Sequence, residues 1–134
     1  GQTLYFTSDR GGSPQIYRMA ANGAEQQRVT VQGDYNVSPR VSPDGRTLIY
    51  VARSSGRFQL MAMDLQNRQM QALTDGQRDE SPSIAPNGRM ILYATDVDNR
   101  GVLAAVSSDG RVKQRLSLQA ADVREPSWGP YPAN

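Results

Sequence analysis

The sequence predicts an all-β chain assembled from a repeated four-stranded antiparallel unit. Three observations carry that expectation. First, Ser38-Pro39-Arg40-Val41-Ser42-Pro43-Asp44-Gly45-Arg46-Thr47-Leu48-Ile49-Tyr50 returns almost position for position as Ser81-Pro82-Ser83-Ile84-Ala85-Pro86-Asn87-Gly88-Arg89-Met90-Ile91-Leu92-Tyr93. Glu125-Pro126-Ser127-Trp128-Gly129-Pro130 begins it once more. Second, the apolar runs are short and divided by turn residues at regular spacing. Third, no apolar stripe of helical period extends beyond a turn.

Each element follows from its residues. Pro43-Asp44-Gly45 and Pro86-Asn87-Gly88 are turn chemistry. Pro presets φ, Asp or Asn bonds its own backbone, and Gly accepts positive φ. Gly45 and Gly88 are therefore expected in the left-handed region. Leu48-Ile49-Tyr50-Val51 has the β-branched and aromatic content of a buried strand. In the middle unit four runs lie near 39–42, 47–52, 58–64 and 69–74, here strands A, B, C and D. Asn22-Gly23 and Asp109-Gly110 fill the C–D link of the outer units, a strong hairpin signal. Phe6, Tyr50 and Tyr93 share one repeat position, and Val29-Thr30, Leu73-Thr74 and Leu116-Ser117 share another. A four-strand meander of about 40–45 residues is the mark of a β-propeller blade.

Gln2-Thr3-Leu4-Tyr5-Phe6 already reads as strand B, and Ser127-Trp128 as strand A. Residues 1–134 are thus expected to form a single partial propeller of three four-stranded blades, permuted by one strand. Blade 1 has strands B–D over 2–30, completed by strand A at 126–129. Blade 2 covers 38–74 and blade 3 covers 81–117. Propellers usually close with about four to eight blades, so three leave open edges. Phe6, Tyr50 and Tyr93 are expected to pack between blades, and Trp128 in the core or channel wall. Met61, Met63, Met70 and Met90 read as packing residues.

Composition narrows the function. With 134 residues there is room for one ordinary core. A hydrophobic content of 37% against 21% charged residues fits a globular chain. No apolar run approaches the ~20 residues of a membrane span, so no membrane insertion is expected, and no signal peptide is visible. The net charge is +2, and arginines alternate with acids rather than forming a stripe, which argues against nucleic acid. Cys and His are both lacking, which excludes disulfides, thiolate nucleophiles, the usual zinc sites and a Ser-His-Asp triad. Asp96-Val97-Asp98-Asn99-Arg100-Gly101 has a faint look of a calcium loop. Arg100 and Ser107 occupy ligand positions of that motif, so no metal and no cofactor is expected.

The D–A loops near 31–38, 75–81 and 118–125 and the B–C loops near 7–14, 53–58 and 95–101 should emerge on one face. Loops on a rigid scaffold are the expected place for binding. The candidate partner-binding residues there are Asp34, Tyr35, Asn36, Arg53, Arg78, Asp79, Glu80, Arg124 and Glu125, with Arg57 and Asp122 nearby. One reading is a mixed-charge rim that grips a protein. The other is that Glu80 and Glu125, next to prolines, satisfy loop N–H groups. A carboxylate-based glycosidase using Asp79, Glu80 or Glu125 is an alternative, as is a peptidase-gating propeller. The sialidase Asp-box is not met, because Gly45 follows Asp44 directly.

Leu4-Tyr5-Phe6-Thr7-Ser8-Asp9-Arg10-Gly11-Gly12-Ser13-Pro14-Gln15-Ile16-Tyr17 resembles the repeat of TolB-type propellers. So do Asp79-Glu80-Ser81-Pro82 with its following turn, Ser107-Ser108-Asp109-Gly110-Arg111, and the tail Pro126-Ser127-Trp128-Gly129-Pro130-Tyr131. Asn36-Val37-Ser38-Pro39 departs from the pattern by lacking an acid before its proline. The resemblance implies half of a six-bladed ring, without the α/β domain that precedes the propeller in that family and engages TolA. It further implies a periplasmic, non-enzymatic binding module of the Tol-Pal cell-envelope system. The implied partners are the lipoprotein Pal and colicin translocation segments. The open edges suggest a homodimer that completes the ring.

Overall fold

A computed structural model describes residues 3–33, 35–75, 78–97 and 100–116. Eleven strands form three antiparallel meanders, with no helix among the described residues. The first sheet holds β1 (Thr3–Ser8), β2 (Gln15–Ala20) and β3 (Gln27–Arg28). The second holds β4 (Asn36–Val41), β5 (Thr47–Ser54), β6 (Arg57–Asp64) and β7 (Met70–Ala72). The third holds β8 (Glu80–Ile84), β9 (Met90–Val97), β10 (Arg100–Ser107) and β11 (Lys113–Leu116). These are strands of three successive propeller blades. The expected strand A of blade 1, with Trp128, lies outside the described residues.

The turns form as their chemistry dictates. Gly45 and Gly88 adopt φ of 75° and 74°. Each glycine N–H closes its turn, on Ser42 O and Ala85 O at 2.8 Å. The β5–β6 hairpin turns on Ser55 and Gly56, both at positive φ (53° and 76°). Two consecutive left-handed residues match the right-handed twist of the flanking strands.

Strand A begins earlier than the sequence suggests, at Asn36 rather than near 39. The cause is a bulge. Pairing shifts between Val37 and Arg40, and again between Glu80 and Ser83. Ser38 and Ser81 sit inside these bulges at φ of 58° and 55°. A bulge lifts the following proline out of the ladder, where its missing N–H costs nothing.

Alternation along β5 builds the core. Leu48 and Tyr50 point to the first sheet and pack with Ile16, Val29 and Met63. Ile49 and Val51 point to the third and pack with Leu60, Leu73, Ile91, Tyr93 and Val106. One strand therefore supplies both of its blade's interfaces, as a side-chain period of two requires. Burial pushes the Tyr50 phenol up to about 12, and its hydroxyl meets Met70 Sδ at 3.0 Å. Tyr93 is also pushed up to about 12, first by burial and then by Asp79 and Asp75.

A threonine fastens the end of each of the first two blades. Thr30 Oγ1 accepts from Ile16 N at 3.0 Å, and Thr74 Oγ1 accepts from Leu60 N at 3.0 Å. The side chain continues the ladder where strand D has stopped, so the buried N–H of strand C stays paired.

Candidate functional site

Directly after that threonine the chain crosses to the next blade. The crossing is tied back to the blade it leaves: Asn36 N donates to Pro14 O at 2.9 Å, and Asp79 N to Phe58 O at 2.8 Å. Both side chains turn inward, with Asn36 3% exposed and Asp79 1%. Asn36 Nδ2 donates to Gln15 Oε1 at 2.8 Å and to Gln32 O at 2.9 Å. Gln15 Oε1 also accepts from Thr30 Oγ1 at 2.6 Å, and Gln15 Nε2 donates to Gly33 O at 3.0 Å. Asp79 Oδ1 accepts from Thr95 Oγ1. These two candidates shape the loops from within.

With the crossings fixed, the D–A loops and the end of one B–C hairpin meet around a groove of about 310 Å³. Val37, Val51 and Phe58 give it an apolar lining. Tyr35, Arg78 and Glu80 line it too, beside the bulged Ser38 and Ser81. The Tyr35 and Phe58 rings meet edge to face, centroids 5.5 Å apart at 78°. The Arg53 guanidinium lies over the Tyr35 ring at 5.0 Å, and Arg53 N donates to Tyr35 O at 3.1 Å. Arg78 pairs with Phe58 in a parallel bridge, and its Nη1 reaches Asp96 Oδ2 at 3.4 Å. The Arg78 side chain stays 65% exposed, so this ion pair is a weak one.

Tyr35, Arg53, Arg78 and Glu80 thus gather at one groove, between the second and third sheets. Asp34, Arg124, Glu125 and Asp122 lie outside the described residues. Sequence reasoning passed over Phe58 and Val37, which supply much of the groove's apolar share. An apolar residue at each edge of a loop was the available signal. Asp96, read with a calcium-like loop, is here the partner of Arg78, while Asp98 and Asn99 of that loop lie outside the described residues. The groove brings the apolar Val37, Val51 and Phe58 together with the aromatic Tyr35, the cationic Arg78 and the anionic Glu80.

Blades of this kind define a repeat propeller that presents its D–A and B–C loops on one face. Residues 1–132 match the family described as the TolB beta propeller domain, and the chain belongs to that family. It is 70% identical over 78 residues to the Tol-Pal system protein TolB of Aromatoleum aromaticum, covering 58% of this chain and 18% of that one. It is 54% identical over 116 residues to the protein of the same name from Xanthomonas oryzae pv. oryzae, covering 84% of this chain and 26% of that one. The crystal structure of TolB from Acinetobacter baumannii matches with a TM-score of 0.83 at 38% identity, covering 96% of this chain and 35% of that chain. Oligogalacturonate lyase from Vibrio parahaemolyticus also matches, with a TM-score of 0.67 over 86% of this chain and 36% of that one. At 14% identity that likeness is one of fold alone. The chain spans about a fifth to a quarter of the curated relatives' lengths. No helix among the described residues is long and apolar enough to cross a membrane.

Proposed function

We propose that this chain is a binding module of the Tol-Pal system whose loop face takes a protein partner, with Pal as that partner. The observation that carries the reading is the groove, a largely polar hollow where Tyr35, Arg78 and Glu80 stand beside Val37, Val51 and Phe58. Tyr and Arg are enriched among the residues that dominate interface energetics: Tyr brings large area at low entropic cost, and Arg brings a planar fork of five donors. Membership of the family, and relatives named for the Tol-Pal system, support Pal over other proteins. Colicin translocation segments would use the same face, and the setting is the periplasm. The module works by binding rather than catalysis. Within this chain taken alone, a second copy would complete the ring.

The test measures Pal affinity of a complete propeller containing these blades. Tyr35→Ala and Arg78→Ala should each weaken binding about tenfold, which corresponds to about 1.4 kcal/mol. Gln66→Ala, in the exposed turn between β6 and β7 on the opposite face, should change nothing. The reverse pattern would put the partner on the other side of the disc.

A further inference from the structure

On the side away from the groove, two A–B turns and one C–D turn come together. Between them lies a cavity of about 300 Å³, at the small end of the range for ligand pockets and sized for one side chain. Its whole wall comes from the second and third sheets and their turns, so it is complete within this chain. Ile49, Ile84 and Ile91 make the apolar floor. Gly88 stands in the wall, where a Cβ would meet Pro43 Cδ at 3.4 Å. Bare backbone at that point lets the two A–B turns approach without filling the space between them.

The ionisable residues in the lining are Asp44 and Asp109, both acids. Each is held by the same device. Asp44 Oδ1 accepts from Ser42 Oγ at 2.6 Å and from Arg46 N at 3.0 Å. Asp109 Oδ1 accepts from Ser107 Oγ at 2.6 Å and from Arg111 N at 3.0 Å. The serine hydroxyl, then the backbone N–H, keeps both carboxyls below the usual carboxylate range. They are anionic at neutral pH, and their Oδ1 atoms are committed to the turns. Arg46, Arg89 and Arg111 of the same turns are absent from the lining. Arg111 Nε approaches Asp109 Oδ2 at 3.9 Å with both side chains largely in solvent, a pair that a ligand displaces at little cost.

We propose that this cavity is a second docking site, taking a lysine side chain of a partner protein with its aliphatic stem on the isoleucines and its ammonium at the Asp44–Asp109 rim. Lysine fits better than arginine. Its charge is a compact point on a straight apolar stem. A guanidinium gains from two oxygens of one carboxylate, and here one oxygen of each is already engaged. An acidic side chain meets two like charges, and a neutral one leaves the rim unused. The proposal concerns the face opposite the groove and stands whether or not Pal binds there.

The test is an NMR titration of the full chain with labelled isoleucine methyls. The probe is the tripeptide acetyl-Ala-Lys-Ala-amide, compared with the same peptide carrying norleucine or glutamate in place of lysine. Norleucine keeps the stem and removes the charge. The lysine peptide should shift the methyls of Ile49, Ile84 and Ile91, with the norleucine peptide about fivefold weaker and the glutamate peptide without effect. The double variant Asp44→Asn, Asp109→Asn should lose the preference for lysine. It should fold, because Asn87 already closes the equivalent turn, accepting from Arg89 N at 2.9 Å. Unchanged aromatic signals from Tyr35 and Phe58 would verify that. No methyl shift with the lysine peptide overturns the proposal. So does equal binding of lysine and norleucine peptides, or a lysine preference that survives in the Asn variant.

Discussion

Phe6 and Tyr50 hold one position in successive repeats, yet their surroundings differ. Tyr50 is 1% exposed and wedged against the first sheet. Phe6 is only half-buried, stacked on Tyr17 with centroids 5.9 Å apart and the Arg10 guanidinium 5.5 Å above its ring. Leu4 and Leu48 repeat the contrast at 44% and 0% exposure. The apolar alternation of strand B inscribes an interface on both faces of every blade. Whether a face is buried depends on the neighbouring blade. Among the described residues the leading face of blade 1 has none, and Arg10 lies across it, over Phe6 and, at 4.8 Å, over Tyr17.

The contrast can be broken by measurement. Tyr50→Ala leaves a cavity in a closed interface and should cost about 3–5 kcal/mol in denaturant unfolding. Phe6→Ala should cost about 1–2 kcal/mol, since much of that ring keeps its contact with water. Equal losses would mean that the two faces are equally covered. Thr74→Val should cost about 1–3 kcal/mol by leaving Leu60 N–H buried without its acceptor. Thr30→Val should cost at least as much, because Thr30 also donates to Gln15. Gly45→Ala forces a Cβ into positive φ and should cost about 1 kcal/mol, seen as a melting temperature lowered by a few degrees.

Titration sharpens the same contrast. The Tyr50 and Tyr93 phenols are raised from about 10 when unfolded to about 12 when folded. Their contribution is complete below pH 10 and is lost as pH rises through about 12. Tyr50→Phe should therefore flatten the alkaline fall in stability, measured as melting temperature against pH. Asp44 and Asp109 work in the opposite direction. Their folded values are lowered, so their contribution is present above the ordinary carboxylate range and fades as pH falls through the lowered values. Ser42→Ala should reduce that acid dependence slightly, the smallest effect of the set, because the turn is exposed.

Strand positions and turns were legible because the repeat exposes them. Pro-Asp-Gly and Pro-Asn-Gly state their own geometry, and β5 alternates cleanly. The bulges were not legible. Serine has no local preference for φ near 58°, and only the pairing of strand A with strand B imposes it. The site was legible in part. Tyr35, Arg53, Arg78 and Glu80 were placed on one face by loop topology alone. Asn36 and Asp79 look like surface loop residues in sequence, and only the crossing to the next blade reveals that each faces inward. Phe58 was overlooked because an aromatic at the start of a strand reads as ordinary core.

The backward tie of each crossing affects how the molecule comes apart. Asn36 and Asp79 hold the entrance of a new blade to the start of strand C of the one before it, through Pro14 O, just ahead of β2, and Phe58 O in β6. Covalent linkage, backbone hydrogen bond and apolar contact therefore coincide at each seam, so adjacent blades are coupled while distant ones barely sense each other. Under force applied to the two ends, such a chain should yield in discrete steps rather than in one. Each step would release one seam, and the amides of Ile16 and Leu60, buried beneath the threonine latches, would be the last in each seam to exchange with solvent.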